Sequence, residues 1–395
     1  MPLLNGYLAL DLTDLKGQMC GKLLHDFGFE VIKVERPGGD PVRRTGPFKD
    51  DVPNLEGSLR FAYLNSGKKS LTLDVSHPEG RDLLLSLVEQ ADVLLESWAP
   101  GVLDGLGLGE SVLRERNPKL LVTSVTSFGQ TGPHRDFLGP DIVSFALGGL
   151  MSICGDPALP PTNAPETQSY YFASVYAALG TLLTLYQRNV DGQGRAVDVS
   201  IQETIASQEH MIRTFATDGH SIVRHGSQHE HVAPANIFPT SDGYVYLFVT
   251  RAHWKRLMDF WQDHPERFGD DEWLDNDFRH EHEAEINEAV EQFTRRYRSD
   301  DLADQLQRSG IPCLPVNTPT SFMANEHVQA RQLFQPAEHP YLGAYSQVTF
   351  PPIVDGAREP VSRPPLLGEH TREILSKRLG LSAGDVEVLF AQGVI

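Results

Sequence analysis

Two apolar segments near the N-terminus read Tyr7-Leu8-Ala9-Leu10-Asp11-Leu12 and Glu30-Val31-Ile32-Lys33-Val34-Glu35. Each has the length and the run of apolar side chains that are typical of a buried strand. Residues 17–27 lie between them and repeat apolar side chains at the spacing of an amphipathic helix. A strand, a helix and a second strand in this order require a crossover connection, so the two strands pair in parallel. The sequence therefore predicts that the fold begins with a βαβ unit.

The same alternation continues through the first third of the chain. Further strand-like segments span residues 70–74, 92–96 and 119–124, and a helical pattern that begins at a proline spans residues 78–89. Strands that alternate with helices form parallel sheets that are covered on both faces. We therefore predict an α/β fold for this part of the chain.

The chain is predicted to contain a large domain made of two segments and a smaller α+β domain. The segments are residues 1–220 as the first part of the large domain, residues 221–232 as a polar linker, residues 233–315 as the smaller domain, and residues 316–395 as the return to the large domain. The clearest feature of the smaller domain is a hairpin over residues 236–249, whose turn contains Asp242-Gly243.

The composition argues against several classes of protein. A formal net charge of −19 is unfavourable for a nucleic-acid partner, because binding to phosphate backbones needs a basic surface. No apolar run has the length of a membrane span, and the N-terminus lacks the pattern of a signal peptide, so no membrane partner is expected. The three cysteines are scattered, without the spacing of a disulfide framework or a zinc site. We therefore expect a cytoplasmic enzyme.

Six segments share both their sequences and their order with one known family. They span residues 31–40, 64–74, 92–101, 127–133, 310–317 and 365–371. These segments resemble blocks of the family III CoA-transferases, the group that includes formyl-CoA transferase, carnitine CoA-transferase and bile-acid-inducible protein F. The resemblance runs from near the N-terminus to near the C-terminus, which favours the same fold throughout the chain.

The resemblance carries expectations about fold and function. It implies a Rossmann-like large domain that holds CoA, a smaller α+β domain, and two subunits threaded through one another as an interlocked dimer. It further implies an enzyme that handles acyl-CoA and moves CoA between carboxylic acids, so the expected partners are an acyl-CoA and a small carboxylic acid. Neither a metal nor NAD is expected, and the glycines do not form the GxGxxG pattern of NAD sites.

The resemblance also implies which residues bind CoA. They are Lys16, Arg36, Asn65, Lys68, Ser97 and Trp98. Arg36 follows the second predicted strand, at the edge where open α/β sheets bind ligands, and the phosphates of CoA need such cations. Ser97 and Trp98 replace an asparagine and a phenylalanine of the family, and Gly105 stands where an arginine is often found. A tryptophan can still pack beside the adenine or the pantetheine.

The position of the family's nucleophile is occupied by a tyrosine. In the family, an aspartate just before a long helix attacks the acyl-CoA thioester, which is covalent catalysis by a carboxylate. An ungapped count back from Tyr176-Ala177-Ala178 places Tyr170 at this aspartate. With a reference pKa of about 10, tyrosine is not a simple replacement. Glu166, four residues upstream, is the nearest carboxylate and a second catalytic candidate, and Asp141 is expected to cap the start of its own helix.

Three functions remain open at this point. The first is an acyl-CoA enzyme of the CoA-transferase type whose chemistry is altered at Tyr170. The second is a non-catalytic subunit that pairs with a paralogue carrying the aspartate, as a heterodimer in place of a homodimer. The third is an acyl-CoA lyase, isomerase or hydratase in which Tyr170 acts as general acid. The residues do not name the acyl group or the acceptor acid.

Overall fold

The computed structural model describes residues 3–208 and 222–395. The chain divides into two units, each with its own dense internal contacts. The larger unit comprises Met1–Met151, Asn163–His220 and His327–Ile395, and the smaller unit comprises Ser152–Thr162 and Ser221–Glu326.

The borders of these units differ from those predicted at residues 233 and 315. The segment 152–162 joins the smaller unit, where Gly226 N–H donates to the Gly155 carbonyl (3.1 Å) and the Arg224 guanidinium donates to the Ser152 carbonyl (3.1 Å). These bonds connect parts of the chain that are distant in sequence, so local periodicity does not reveal them. The predicted border between residues 220 and 221 lies outside the described residues.

The larger unit is built on a six-stranded sheet. Its strands are β1 (Leu8–Asp11), β2 (Glu30–Glu35), β3 (Lys69–Thr72), β4 (Val93–Glu96), β5 (Leu121–Thr126) and β6 (Ala196–Ser200). All neighbouring strands pair in parallel, in the order β3-β2-β1-β4-β5-β6 of the doubly wound Rossmann type. The predicted α/β fold with a parallel sheet is thus confirmed. The order reverses between β1 and β4, and such sheets bind ligands beyond the carboxyl ends of the strands at this reversal.

Helices connect the strands and pack on both faces of the sheet. They are α1 (Gln18–Asp26), α2 (Leu59–Leu64), α3 (Pro78–Val88), α4 (Val102–Gly105), α5 (Glu110–Arg116), α6 (Asp141–Leu147), α7 (Gln168–Asp191) and α8 (Ile201–Ala206). Successive strand residues point to opposite faces, so Leu8 and Leu10 of β1 join one apolar cluster while Ala9 joins another. The second cluster contains Ala173 and Ala177, whose small side chains let α7 lie close to the sheet.

Charged side chains are buried beneath the carboxyl ends of β1 and β2. Lys68 Nζ lies 2.7 Å from Asp11 Oδ2, and the Arg43 guanidinium binds both carboxylate oxygens of Glu35, at 2.7 and 2.9 Å. These four residues are at most 2% exposed. Burial by itself raises the pKa of Glu35, but the hydrogen bonds and charge of Arg43 bring that pKa below its ordinary value. The ion pairs thus offset the large cost of removing these charges from water.

The smaller unit has an α+β structure. Its strands are β7 (Ala235–Pro239), β8 (Tyr244–Phe248) and β9 (Cys313–Pro315), and its helices are α9 (Arg251–Phe260), α10 (Asn276–Glu281), α11 (Glu283–Thr294), α12 (Ser299–Arg308) and α13 (Pro319–Ala324). The strands form an antiparallel sheet in the order β7-β8-β9. The predicted hairpin with its turn at Asp242-Gly243 is confirmed by the pairing of β7 with β8. Trp254, Phe268 and Trp273 pack together in the core of this unit.

The chain returns to the larger unit from residue 327. The remaining elements are α14 (Glu326–Ala330), β10 (Phe334–His339), β11 (Gly343–Val348), α15 (Thr371–Leu379) and α16 (Ala383–Ala391). Thr72 N–H donates to Thr371 Oγ1 (2.9 Å) and His370 N–H donates to the Ser70 carbonyl (3.0 Å), which attaches this segment to the edge strand β3. Among the helices of the described residues, none is both long and apolar enough to cross a membrane.

The buried pair of Arg43 and Glu35 yields a first prediction. The Arg43→Met variant should lose about 3–5 kcal/mol of unfolding free energy, because it leaves the Glu35 carboxylate buried without its cation. The matched control is Arg81→Met, since Arg81 pairs with Asp82 at the surface and should cost less than about 1 kcal/mol. The measurement is urea unfolding followed by circular dichroism.

A double variant separates the loss of the pair from the loss of arginine packing. Replacing Glu35 and Arg43 together by methionine should recover most of the lost stability, because no unpaired charge is then left in the core. Equal stability losses in the two single arginine variants would contradict a structural role for the buried pair.

Candidate active site

A cavity of about 430 Å³ opens beyond the carboxyl ends of β1 and β4, at the reversal of strand order. We call it the Arg36 cavity. Residues that follow four strands line it: Leu12, Asp14, Lys16, Val34, Arg36, Leu73, Asp74, Val75, Ser76, Trp98, Ala99, Val102 and Leu106. Its position is the one at which open α/β sheets bind nucleotides and related ligands.

Arg36 supplies an exposed cation to this cavity. Its Nε donates to the Gly39 carbonyl at 3.2 Å, which orients the side chain, and the described residues provide no ion-pair partner for it. The guanidinium therefore retains donors for an anionic ligand. The structure brings Arg36, Lys16 and Trp98 together in one cavity.

Ser97 lies behind the wall of the Arg36 cavity and is fully buried. Its Oγ accepts from Asp14 N–H (2.8 Å) and donates to Asp14 Oδ1 (2.8 Å). Asp14 in turn binds Lys16 Nζ at 2.5 Å. Ser97 thus connects the end of β4 to the loop after β1, and it orients Lys16 through Asp14.

Asn65 and Lys68 are not brought to the Arg36 cavity. Lys68 Nζ donates to Asp11 Oδ2 (2.7 Å), to the Gln18 carbonyl (2.7 Å) and to Asn65 Oδ1 (2.9 Å). These three bonds use all the donors of an ammonium group. The Asn65 amide donates to Gln18 Oε1 (3.0 Å) and to the Phe61 carbonyl (3.1 Å). Both side chains are therefore committed to the interior, in contrast to the ligand contact that the resemblance implies.

A second cavity, of about 270 Å³, lies beside the first. We call it the Tyr170 cavity. It is lined by Lys16, Ser97, Trp98, Ala99, Pro100, Thr126, Ser127, Arg135, Asp136, Phe137, Leu138, Gly139, Pro140 and Tyr170. Lys16, Trp98 and Ala99 line both cavities, so the two cavities adjoin.

Tyr170 lies in the first turn of α7 and is partly buried. Burial raises the pKa of its phenol to about 12; the Asp141 backbone N–H opposes this shift, and the charges of Asp141 and Asp14 add to it. The phenol is therefore protonated at neutral pH and can donate a hydrogen bond. Ser174 Oγ of the same helix donates to the Lys16 carbonyl (3.3 Å), which fixes α7 against the loop that carries Lys16.

Asp141 does not cap its own helix as the sequence suggested. Its Oδ1 instead accepts from Ser169 N–H at 2.9 Å and from Ser169 Oγ, so the carboxylate stabilises the start of α7. The helix that begins at Asp141 follows Pro140 and has no side-chain cap. The Asp141 carboxylate thus holds the first turn of α7 in place.

Glu166 and Tyr170 are not brought together in the Tyr170 cavity. The Glu166 side chain is 66% exposed, and its Oε2 lies 2.9 Å from the Arg60 guanidinium. Its backbone φ of 61° is in the left-handed region, so this residue forms a turn before the helix. Its charge and that of Arg60 act on the neighbouring Tyr171, whose pKa is raised chiefly by burial.

Several polar residues of the cavities were not anticipated, among them Thr126, Asp14 and Arg135. Thr126 is the last residue of β5, and the rule that ligands bind at the carboxyl ends of strands could have identified it. Asp14 lies in the loop after β1, where the same rule applies. Arg135 lies in an irregular loop between β5 and α6, where no periodic pattern marks its position. In the described residues, no group of three or more His, Cys, Asp or Glu side chains is arranged to hold a metal ion.

Known proteins resemble this chain over nearly its full length. The sequence model of CoA-transferase family III matches residues 4–371. The chain is 37% identical to succinyl-CoA–D-citramalate CoA-transferase of Chloroflexus aurantiacus, over 96% of this chain and 95% of that protein. It is 33% identical to subunit BbsE of succinyl-CoA:(R)-benzylsuccinate CoA-transferase of Thauera aromatica, over 98% of this chain and 97% of that protein.

A solved structure supports the same relationship. A CAIB/BAIF family protein from Brucella suis superposes with a TM-score of 0.86 at 29% identity, over 96% of this chain and 99% of that chain. The sequence match, the relatives and the fold agree over almost every part of the molecule. This chain belongs to the family III CoA-transferases.

Proposed function

We propose that this chain is the CoA-binding subunit of a heteromeric CoA-transferase and that a second, related chain supplies the nucleophilic carboxylate. The observation that carries this proposal is Tyr170, a protonated phenol at the start of α7 where the resemblance to the family expects an aspartate. The scaffold and the ligand cavities are retained around it.

The two cavities suit the two ends of an acyl-CoA. The Arg36 cavity offers the guanidinium of Arg36 and the ammonium of Lys16 to phosphate groups, and the indole of Trp98 offers an apolar surface to the adenine or pantetheine. The adjoining Tyr170 cavity then receives the thioester and the acyl group. Asn65, Lys68 and Ser97 act as positioning residues in this arrangement, since their polar groups hold the loops of the site.

A phenol cannot take over the first chemical step of the family. In that step a carboxylate oxygen bonds to the thioester carbonyl carbon, the carbon–sulfur bond breaks, and the CoA thiolate leaves with the electron pair. With a pKa of about 12, only about one Tyr170 side chain in 100,000 is ionised at pH 7. Tyr170 therefore offers a hydrogen-bond donor where the reaction needs a nucleophile.

Neighbouring carboxylates are poorly placed to replace the aspartate. Glu166 is exposed and paired with Arg60. Asp141 is held by Ser169. Asp136 does line the Tyr170 cavity, but its side chain is 71% exposed and lies 3.3 Å from the Arg135 guanidinium. Solvation and pairing stabilise this carboxylate and make it a weak nucleophile.

The surface of α7 supports association with a second chain. Val175, Leu179, Leu183, Tyr186 and Val190 recur every three or four residues along this helix and are 51–73% exposed. A row of exposed apolar side chains at this spacing is typical of a helix that packs against a partner. An interlocked dimer, as the family resemblance implies, would cover this row in either a homodimer or a heterodimer.

Relatives favour a heteromer and a dicarboxylic substrate. The Thauera aromatica relative is named as a subunit, and so is the β subunit of succinyl-CoA–L-malate CoA-transferase from Chloroflexus aurantiacus. The names of several relatives combine succinyl-CoA with a second dicarboxylic acid, such as citramalate, mesaconate or malate. We therefore propose CoA transfer between short dicarboxylic acids, with this chain paired to a paralogue that carries the aspartate.

The protonated phenol favours one alternative function. A hydrogen bond from Tyr170 to the thioester carbonyl would stabilise an enolate, so the chain could by itself act as an acyl-CoA lyase, isomerase or hydratase. In that case the purified wild-type chain would turn over its substrate, and Tyr170→Phe would abolish this turnover. A non-catalytic subunit would show no turnover in either form.

CoA binding gives the next prediction. The Arg36→Gln variant should bind CoA about tenfold or more weakly by isothermal titration calorimetry, because a charge-assisted hydrogen bond to phosphate is lost. Arg44→Gln is the matched control, since Arg44 is also exposed and bonds the backbone of the same loop, at the Gly38 carbonyl, but does not line the cavity. Equal affinities of both variants would place CoA elsewhere.

The missing nucleophile gives a further prediction. The Tyr170→Asp variant should form a covalent enzyme–CoA thioester and transfer CoA between succinate and a second dicarboxylic acid, because it places a carboxylate in the cavity. Tyr171→Asp is the control, since this adjacent tyrosine is also partly buried but does not line the Tyr170 cavity. Intact-mass spectrometry detects the adduct, and chromatography of the acyl-CoA products measures transfer.

The same two measurements on the wild-type chain test the heteromeric proposal. Purified alone, it should show neither the adduct nor transfer, and both should arise when it is co-expressed with a paralogue that has the aspartate. Transfer at an ordinary rate by the wild-type chain alone would overturn the heteromeric proposal, while leaving its family membership intact.

A further inference from the structure

The Tyr170 cavity has a size and a wall chemistry that the CoA moiety does not explain. Its volume of about 270 Å³ is below the range of about 300–1000 Å³ typical of drug-sized ligands. It therefore suits a short acyl group. Besides Tyr170, its wall contains the cation Arg135 and the hydroxyl of Thr126, to which the transfer chemistry of the family assigns no role in this chain.

We infer that Arg135 and Thr126 form a carboxylate-binding site that recognises the free carboxylate of a dicarboxylic acyl-CoA. This inference rests on the proposed function, because it assigns a substrate class to the same site. It makes Arg135 and Thr126 determinants of specificity, since they contact the end of the acyl group and take no part in bond breaking.

The first observation behind this site is the buried hydroxyl group of Thr126. Its side chain is 3% exposed, and its Oγ1 has no hydrogen-bond partner among the described residues. Buried hydroxyl groups are almost always bonded, and an unbonded one carries a desolvation cost that a ligand oxygen can remove. Thr126 lines the Tyr170 cavity, so a bound acid can supply the partner that its hydroxyl lacks.

The second observation is the weakly paired guanidinium group of Arg135. Its side chain is 52% exposed, and among the described residues the guanidinium pairs only with the adjacent Asp136, at 3.3 Å. Such an exposed pair is weak, so the guanidinium can turn to a ligand carboxylate, which it can bind with two parallel hydrogen bonds. The other cation of the wall, Lys16, bonds Asp14 at 2.5 Å and also lines the Arg36 cavity, where the proposed function assigns it to the phosphates.

The charge of the whole protein makes a local cation necessary. The chain carries a formal net charge of −19, which opposes the approach of a doubly anionic acyl group. A guanidinium in a partly enclosed cavity compensates this repulsion where the carboxylate binds. An acyl group that ends in a methyl would gain nothing from Arg135 and would leave the Thr126 hydroxyl unbonded.

The test compares two acyl-CoAs of equal length in the full-length chain. Succinyl-CoA and butyryl-CoA both have four acyl carbons. The acyl group of succinyl-CoA ends in a carboxylate, whereas that of butyryl-CoA ends in a methyl group. Calorimetry should show that the wild-type chain binds succinyl-CoA about tenfold more tightly. Arg135→Gln should bring the ratio of the affinities for succinyl-CoA and butyryl-CoA close to one, while the affinities for butyryl-CoA and free CoA stay unchanged. Arg116→Gln, which removes a similarly exposed arginine paired with Glu89, should retain the preference.

Thr126→Val keeps the shape of the side chain and removes its hydroxyl. It should weaken succinyl-CoA binding about threefold to tenfold without lowering the thermal unfolding midpoint, because the hydroxyl makes no bond to any residue that the structure describes. A control on the same strand is Thr123→Val, since Thr123 bonds Thr181 in the core at 2.7 Å. The Thr123→Val variant should lower the thermal unfolding midpoint and leave the ratio of the affinities for succinyl-CoA and butyryl-CoA unchanged.

These outcomes test the carboxylate-binding site separately from the proposed CoA-binding function. Equal affinity of the wild-type chain for the two acyl-CoAs, or a preference that survives Arg135→Gln, would overturn the carboxylate site while CoA binding still supports the proposed function. No binding of free CoA or of either acyl-CoA would overturn both. A Thr126→Val variant that binds succinyl-CoA as the wild type does would remove Thr126 from the site.

Discussion

A network of buried charges under the carboxyl edge of the parallel sheet holds the functional part of this protein in place. Asp11 at the end of β1 binds Lys68, and Glu35 at the end of β2 binds Arg43 and Ser70 Oγ. Buried charges are stable only when they are paired and fully hydrogen-bonded, so each partner has essentially one permitted position. Strand ends and loops that are far apart in the chain are thereby held at one edge of the sheet.

The loop after β1 depends directly on this network. Asp11 Oδ1 accepts from Thr13 N–H at 2.9 Å, and the buried Lys33 ammonium donates to the Thr13 carbonyl. The loop continues to Asp14, which Ser97 holds from the end of β4. Because Lys16 follows in the same loop and lines both cavities, the buried charges help to fix the position of the wall that the two cavities share.

Sequence reasoning succeeded where the information is local. The βαβ unit, the parallel sheet and the Asp242-Gly243 hairpin were predicted from periodicity and turn chemistry, and the structure confirms them. Arg36 and Tyr170 line cavities, Arg36 after the end of β2 and Tyr170 in the first turn of α7, and their roles toward a ligand stay predictions. Glu166 was a candidate through proximity in sequence alone, and its side chain turns outward to Arg60.

Periodic apolar patterns, glycine turns and residues that follow strands act over short stretches of sequence, so the amino-acid order alone was enough to predict the parallel sheet. The order of six sequence segments was enough to indicate the family. The burial of Lys68 depends on Asp11, 57 positions away, and the support of Asp14 depends on Ser97, 83 positions away. Such partners meet only when the chain has folded. Whether a lysine faces a ligand or the core is a balance between hydration and pairing, and that balance is set by its surroundings in the tertiary structure.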